Sequence, residues 1–509
     1  MNGEYQCPLT SAAISYAWGQ LARRAGLSAD EVTNAGTEIL GTPVYYVRPD
    51  WPRPDGPGII VVPCEETAFC GVLDRSPNSL DWLSSKEAVP PGIRPPFERA
   101  VPVLFWGQGY ERGNKPFAER TRDGSVVFYA DIVAATMFML SRWEERTGCV
   151  RDQHGRFPAS ASVAQKQGFL DQPVIDQYAL LLRAWLMALL PRWRPIPRAF
   201  SARLTHDVDH MRRFQSHCAA LRNVGGDLLK RHDPKRAWET SVNAVRQRLA
   251  PDTTSYFRGI HTLSTLSNRF GLESAFYFMA VDPRLRGQRY DIESPSIRRC
   301  VHNLRSQGFQ IGLHASYDSL NDPNRLAEEK GRLDSVLGET RYGGRQHFLR
   351  FRVPDTWRHW EQAGLTYDST MGYPDCEGFR CGTCHPFRPF DVERDREFNL
   401  LEWPLIVTDV TLRTYREMTP EEGEARILEL ARRCREVEGT LTLVWHNSSL
   451  DGQWEPWAQA YTRVVEKLGA DVHARSVERS TSPHQYPLML DVGQPKEAVT
   501  MKRAWEDGP

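Results

Sequence analysis

Arg203-Leu204-Thr205-His206-Asp207-Val208-Asp209-His210 follows directly on the short apolar run Ala199-Phe200-Ser201-Ala202. If that run opens a strand, two carboxylates two residues apart stand where the strand ends. The C-terminal ends of strands are where α/β sheets and barrels present reactive side chains to solvent. One acid can then hold a metal while the other handles a proton. Taken alone, Asp-x-Asp is more often a turn cap, because Asp readily hydrogen-bonds its own backbone after a strand.

Two later stretches change that balance. Phe309-Gln310-Ile311-Gly312-Leu313-His314-Ala315-Ser316-Tyr317-Asp318 is another apolar run that ends in a possible metal ligand, with a second four residues on. Leu441-Thr442-Leu443-Val444-Trp445-His446-Asn447 is a buried-strand pattern that delivers a histidine at its end. Three strand ends thus carry ligands or acid-base groups.

Around them β and α patterns alternate. Strands are expected at Phe200 to Thr205, Ser274 to Ala280, Phe309 to His314, near His347 to Arg352, Leu365 to Ser369, Leu400 to Val407, and Leu441 to Trp445. Helices are expected at Phe257 to Phe270, around Ser296 to Gln307, Asn324 to Leu337 and Pro420 to Val437. Spacing of this kind suits parallel crossovers in a barrel or a doubly wound sheet. Upstream, short strands such as Gly58 to Pro63 and Val101 to Phe105 give way to two helices. One is capped by Asp131; the other runs from Val174 to Leu190 after Pro173. Gly155 to Ser160 between them reads as an ordered loop. Pro191-Arg192-Trp193-Arg194-Pro195-Ile196-Pro197 forbids regular structure and is the expected boundary. The domains expected are residues 1–196, residues 197–479 and a loosely held tail, 480–509.

With 64 basic and 64 acidic residues, no net field draws the chain to nucleic acid or an anionic membrane, and a small or neutral substrate fits better. No apolar run approaches the roughly 20 residues that span a bilayer, and Met1 to Cys7 lacks the basic start and apolar stretch of a secretory signal. A cytoplasmic location is the expectation, with most of the ten cysteines reduced in the core.

From about residue 199 to 478 the chain resembles the NodB-homology polysaccharide deacetylases, carbohydrate esterase family four. The N-terminal portion is similar to a domain of unassigned role that precedes such catalytic domains in some bacterial proteins. The resemblance implies an α/β fold, a distorted (β/α) barrel preceded by a separate mixed α/β domain. It also implies hydrolysis of the acetamide of an N-acetylated sugar or glycan, in bacterial surface polysaccharide metabolism. Thr205-His206-Asp207-Val208-Asp209 is similar to the family's Thr-x-Asp-Asp block with one residue inserted, which implies Asp207 as general base and Asp209 as metal ligand. The family's His-x-x-x-His reads His314-Ala315-Ser316-Tyr317-Asp318 here, so Asp318 replaces the second histidine. A divalent metal held by Asp209, His314 and Asp318 is the implied cofactor. Zinc comes first, with manganese, iron and cobalt open. Arg352-Val353-Pro354 matches Arg-x-Pro and implies Arg352 as the partner of the base, with Arg345-Gln346-His347 a competitor. Leu443-Val444-Trp445-His446 implies His446 as general acid, oriented by Asp368 or Asp409. His206 and His210 are expected to be supporting residues.

Cys381-Gly382-Thr383-Cys384-His385 fits a haem-attachment pattern. The better expectation is a turn-rich loop, Gly372 to Pro389, whose Tyr373, Phe379 and Phe387 line the barrel mouth. Two other functional classes stay open at this point: an inactive relative that binds carbohydrate, suggested by Asp318, and a hydrolase of a non-sugar amide.

Overall fold

The computed structural model describes residues 9–32, 38–47, 57–111, 113, 115–146, 150–212, 217–230, 232–249, 254–285 and 289–480. The start of the chain and the expected tail beyond Ser480 lie outside the described residues. The protein is a mixed α/β structure built on a curled parallel sheet. Its eight strands are β1 (Ser201–Val208), β2 (Glu273–Phe278), β3 (Gln310–Ala315), β4 (Gly344–Gln346), β5 (Tyr367–Asp368), β6 (Leu401–Glu402), β7 (Val407–Thr408) and β8 (Thr440–Val444). They lie in the order β6-β5-β4-β3-β2-β1-β8-β7, every pair parallel.

Most strands form where the apolar runs predict them, because a sheet covered on its faces buries continuous apolar segments. The strand expected near His347 to Arg352 lies earlier, at Gly344–Gln346, and His347–Leu349 is a short 3-10 turn. Helices Ser255–Arg269, Pro295–Ser306, Pro323–Leu337, Asp355–Gln362 and Pro420–Glu436 return the chain for successive parallel strands. A helical pair, His217–Leu229 and Pro234–Leu249, is inserted after β1, and Glu455–Ser480 ends the described chain. Close approach sets the start of β4: a Cβ on Gly344 would lie 1.9 Å from the Leu313 carbonyl oxygen.

The single strand expected over Leu400 to Val407 is two. β6 pairs with β5 and β7 pairs with β8, at opposite edges of the sheet. Pro404, which has no N–H to give a ladder, stands between them. This segment crosses the gap that leaves the barrel half closed.

Upstream, five short strands form a mixed sheet in the order Glu38–Ile39, Thr42–Tyr46, Ile59–Val61, Val126–Phe128, Ala118–Arg120. Helices Ser11–Ala25, Ile132–Leu140 and Val174–Leu189 accompany it. Asp131 caps the second of these, accepting from the Ala134 N–H at 2.8 Å.

The Pro-rich segment 191–197 carries no helix or strand, yet the core does not stop there. One continuous apolar cluster includes Ala13, Phe138 and Trp185 as well as Leu204, Leu313 and Leu468. Buried charges join the two parts. Arg380 donates to Glu145 at 2.9 and 2.5 Å, while Arg142 holds the same carboxylate at 2.8 Å. Arg24 pairs with Asp176 at 3.0 Å, and Asp176 in turn accepts from Thr383 and from the Cys384 N–H. These links explain the 381–385 loop. Cys381 and Cys384 are buried, and burial pushes both thiols upward in pKa. His385 Nε2 lies 2.9 Å from the Val437 carbonyl. Tyr373, Phe379 and Phe387, expected at the mouth, are instead buried in the shared core.

Candidate metal centre and acid-base groups

Side-chain alternation along β1 decides which residues face the barrel axis. Arg203, Thr205, Asp207 and Asp209 share one face; His206 and Val208 turn the other way. Arg203 plugs the interior below the site, its guanidinium 4.5 Å from the Trp403 ring and 5.4 Å from that of Tyr367. His206 is buried against Phe276, with Nδ1 2.9 Å from the Trp445 carbonyl. It lies outside the cluster, and burial lowers its pKa to about 4.

At the strand ends, Asp209 Oδ1 lies 3.1 Å from His314 Nε2 and 3.3 Å from His347 Nε2. Ligands around a four-coordinate ion with bonds of roughly 2.0–2.1 Å stand about 3.3 Å apart, so both separations match one shared cation. His314 Nδ1, 3.1 Å from the Arg345 carbonyl, fixes the ring with Nε2 turned to the cluster. Asp209 Oδ1 and both ring nitrogens of His347 are buried without a hydrogen bond of good geometry. Such orphaned polar atoms are costly unless something else binds them. The residues therefore fit a divalent metal, and two imidazoles with one carboxylate suit zinc or another borderline ion.

Asp318 does not join this group. The chain leaves β3 into a turn, and the Asp318 side chain is 71% exposed and paired with Arg325 at 3.0 Å. His347 takes the third place. It follows β4, the parallel neighbour of β3 in which Arg345 registers against His314.

The arginine beside Asp207 is likewise Arg345, not Arg352. Arg345 is fully buried, donates to Asp207 Oδ1 at 2.7 Å, and is itself clamped by the Ser369 carbonyl at 2.7 Å and hydroxyl at 3.0 Å. Arg352 is exposed just before helix Asp355–Gln362. Burial alone would raise the Asp207 pKa, but Arg345, helped by His314 and His446, brings it below the usual carboxylate value. Asp207 Oδ2 is 3.9 Å from His314 Nε2, at the edge of the cluster.

Opposite stands His446, just beyond β8. Its Nδ1 lies 2.8 Å from Asp409 Oδ1, and its backbone N–H donates to Asp409 Oδ2 at 2.9 Å. Nε2 points to the cluster, 3.9 Å from Asp209 Oδ2. Of the two acids named for orienting this ring, Asp409 is the one in contact; Asp368 bonds Thr370 instead. Burial would lower the imidazolium pKa, yet Asp409, with Asp209 and Asp207, raises it to about 10. His210 sits at the rim with its pKa lowered to about 4 by burial and by Arg289, whose guanidinium is 3.5 Å from Asp209 Oδ2.

Phe348 and Leu349, directly after His347, both hold left-handed backbone, with φ of 63° and 52°. For residues other than glycine this costs about 1–2 kcal/mol each, and such strain gathers at functional sites.

Residues 79–191 match a family model described as a family of unknown function, DUF7033. A comparison with curated proteins found no match. Among solved structures, a Mycobacterium smegmatis protein assigned as a polysaccharide deacetylase shares 16% identity at a TM-score of 0.36, over 60% of this chain and 97% of its own. A Bordetella bronchiseptica protein, assigned as a polysaccharide deacetylase involved in O-antigen biosynthesis, shares 12% at 0.25, over 54% of this chain and 83% of its own.

Proposed function

We propose that the protein is a metal-dependent hydrolase that removes the acetyl group from an N-acetylated sugar or glycan. Support comes chiefly from one convergence: three ligand atoms spaced for a single cation, flanked by an anionic carboxylate and a cationic imidazole. An amide is a poor electrophile with a poor leaving group, so its hydrolysis needs an activated water and a proton donor. Asp209, His314 and His347 would hold the metal, which when bound polarises a carbonyl and lowers the pKa of a water from 15.7 towards about 7.

The chain's own residues do the rest. Asp207, kept anionic by Arg345, accepts the proton of the attacking water. Arg345 cannot swing away, since Ser369 holds it from two sides. His446, kept charged and in one orientation by Asp409, delivers a proton from Nε2 to the departing amine. The inactive-relative alternative drew on Asp318 in a ligand position; with His347 beside Asp209 it loses that support.

The test joins metal analysis to acetate release from N-acetylated sugars. Wild type should carry one divalent ion per chain and release acetate. Asp207→Asn should keep the ion and lose turnover, and Asp209→Asn should lose both. Acetate release by Asp207→Asn at the wild-type rate would remove its role as base, and a wild type that binds no metal would end the proposal.

A further inference from the structure

The loop Asp152–Phe157 belongs to the part of the chain upstream of the barrel, yet its side chains reach the rim of the candidate site. Asp152 organises the loop, accepting from the backbone N–H of His154 at 2.8 Å and of Arg156 at 2.9 Å. Its other oxygen takes Arg156 Nε at 2.7 Å. The Arg156 side chain is only 5% exposed, and its free fork touches two barrel loops at once. Nη1 donates to the Phe348 carbonyl at 3.2 Å and Nη2 to the Tyr415 hydroxyl at 3.0 Å. His154 packs its ring 5.1 Å from that of Phe348, with Nδ1 3.2 Å from the Tyr317 hydroxyl.

Among the described residues, the two aromatics so held are among the few large ones left open to solvent: Phe348 is 40% exposed and Tyr415 43%. Phe348 directly follows His347, and the two rings are 4.7 Å apart. Tyr415 ends the turn Thr411–Tyr415 that follows Asp409, the partner of His446. Exposed aromatic rings at the rim of a site offer a ligand bound there an apolar face to pack on. A pyranose ring has a face of C–H bonds that packs on such rings while its hydroxyls stay in water. The apolar area suits neither a polyanion nor an ion.

We propose that Phe348 and Tyr415, held in place by Arg156 and His154, form a platform on which the sugar rings next to the reacting residue stack, so that the upstream part of the chain completes the substrate site. This rests on the hydrolase reading above for the identity of the reacting residue. Arg156 and His154 are positioning residues; the stacking itself belongs to the two aromatics.

Binding of chitotetraose and cellotetraose to metal-stripped full-length protein, followed by calorimetry, tests the platform without using turnover. Wild type should bind at least one of them. Phe348→Ala and Tyr415→Ala should each weaken binding by roughly tenfold, and Arg156→Ala should match the double loss. Tyr415→Phe, which keeps the ring but loses the hydroxyl that Arg156 holds, should bind more weakly than wild type and more tightly than Tyr415→Ala. Unfolding midpoints equal to wild type for the two exposed-residue variants separate lost stacking from lost structure. Unaltered binding in both alanine variants, or a wild type that binds neither saccharide, would overturn the platform even if acetate is released. Platform-dependent binding, together with no acetate release by the metal-loaded protein from N-acetylated sugars, would instead leave the platform standing and reject the hydrolase.

Discussion

Asp318→Ala removes a carboxylate whose partner is Arg325 on the surface, so metal content should stay at the wild-type level. His347→Ala removes an imidazole 3.3 Å from Asp209 Oδ1, and metal affinity should fall by at least about a hundredfold, read by titration against a chelator. His446 gives a pH signature in the metal-free protein. Its folded pKa, about 10, lies above its ordinary value of 6.5. The stability it contributes is therefore complete below pH 6.5 and lost as the pH rises through about 10. Denaturant unfolding across that window should show the loss, and His446→Gln should lack it. Asp207, Asp209, His314 and His446 were legible because each ends an apolar run. His347 was legible only through its two-residue spacing from Arg345, which puts both on one face of a strand. Asp318 was expected only because it fills the second position of the family's His-x-x-x-His spacing, whereas here the chain turns away after β3.

The turn after helix Ile132–Leu140 meets the 372–389 loop through Glu145, flanked by Arg142 and Arg380. Burial alone would raise this carboxylate; the two guanidinium groups bring it down to about 2. Glu145→Ala leaves the buried Arg380 without a carboxylate and Arg142 with Glu144 alone, and should cost about 3–5 kcal/mol, measured by urea unfolding. Long amphipathic or apolar elements were readable from their periodicity, as with Val174–Leu189 and β3. Strands of two residues, such as β5 and β6, are too short to show any period. The break at Pro404 needed a rule about missing donors, not a pattern. The inserted pair His217–Leu229 and Pro234–Leu249 escaped notice because Leu221, Leu229, Trp238 and Val245 are exposed, which blurs a helical stripe.

For the molecule as a whole, equal numbers of acidic and basic residues pointed away from nucleic acid, and the alternation of patterns pointed to a parallel sheet. Composition shifts at Pro191 to Pro197 gave a break in secondary structure, but a local break says nothing about whether side chains pack across it. Here they do, through Trp185, Arg24, Asp176 and Arg380. A protease that nicks this proline stretch should accordingly leave both fragments bound to one another in gel filtration. Grafting the barrel onto a different leader would strand its inward-facing guanidinium and hydroxyl groups, so the halves are free to diverge only as a matched set.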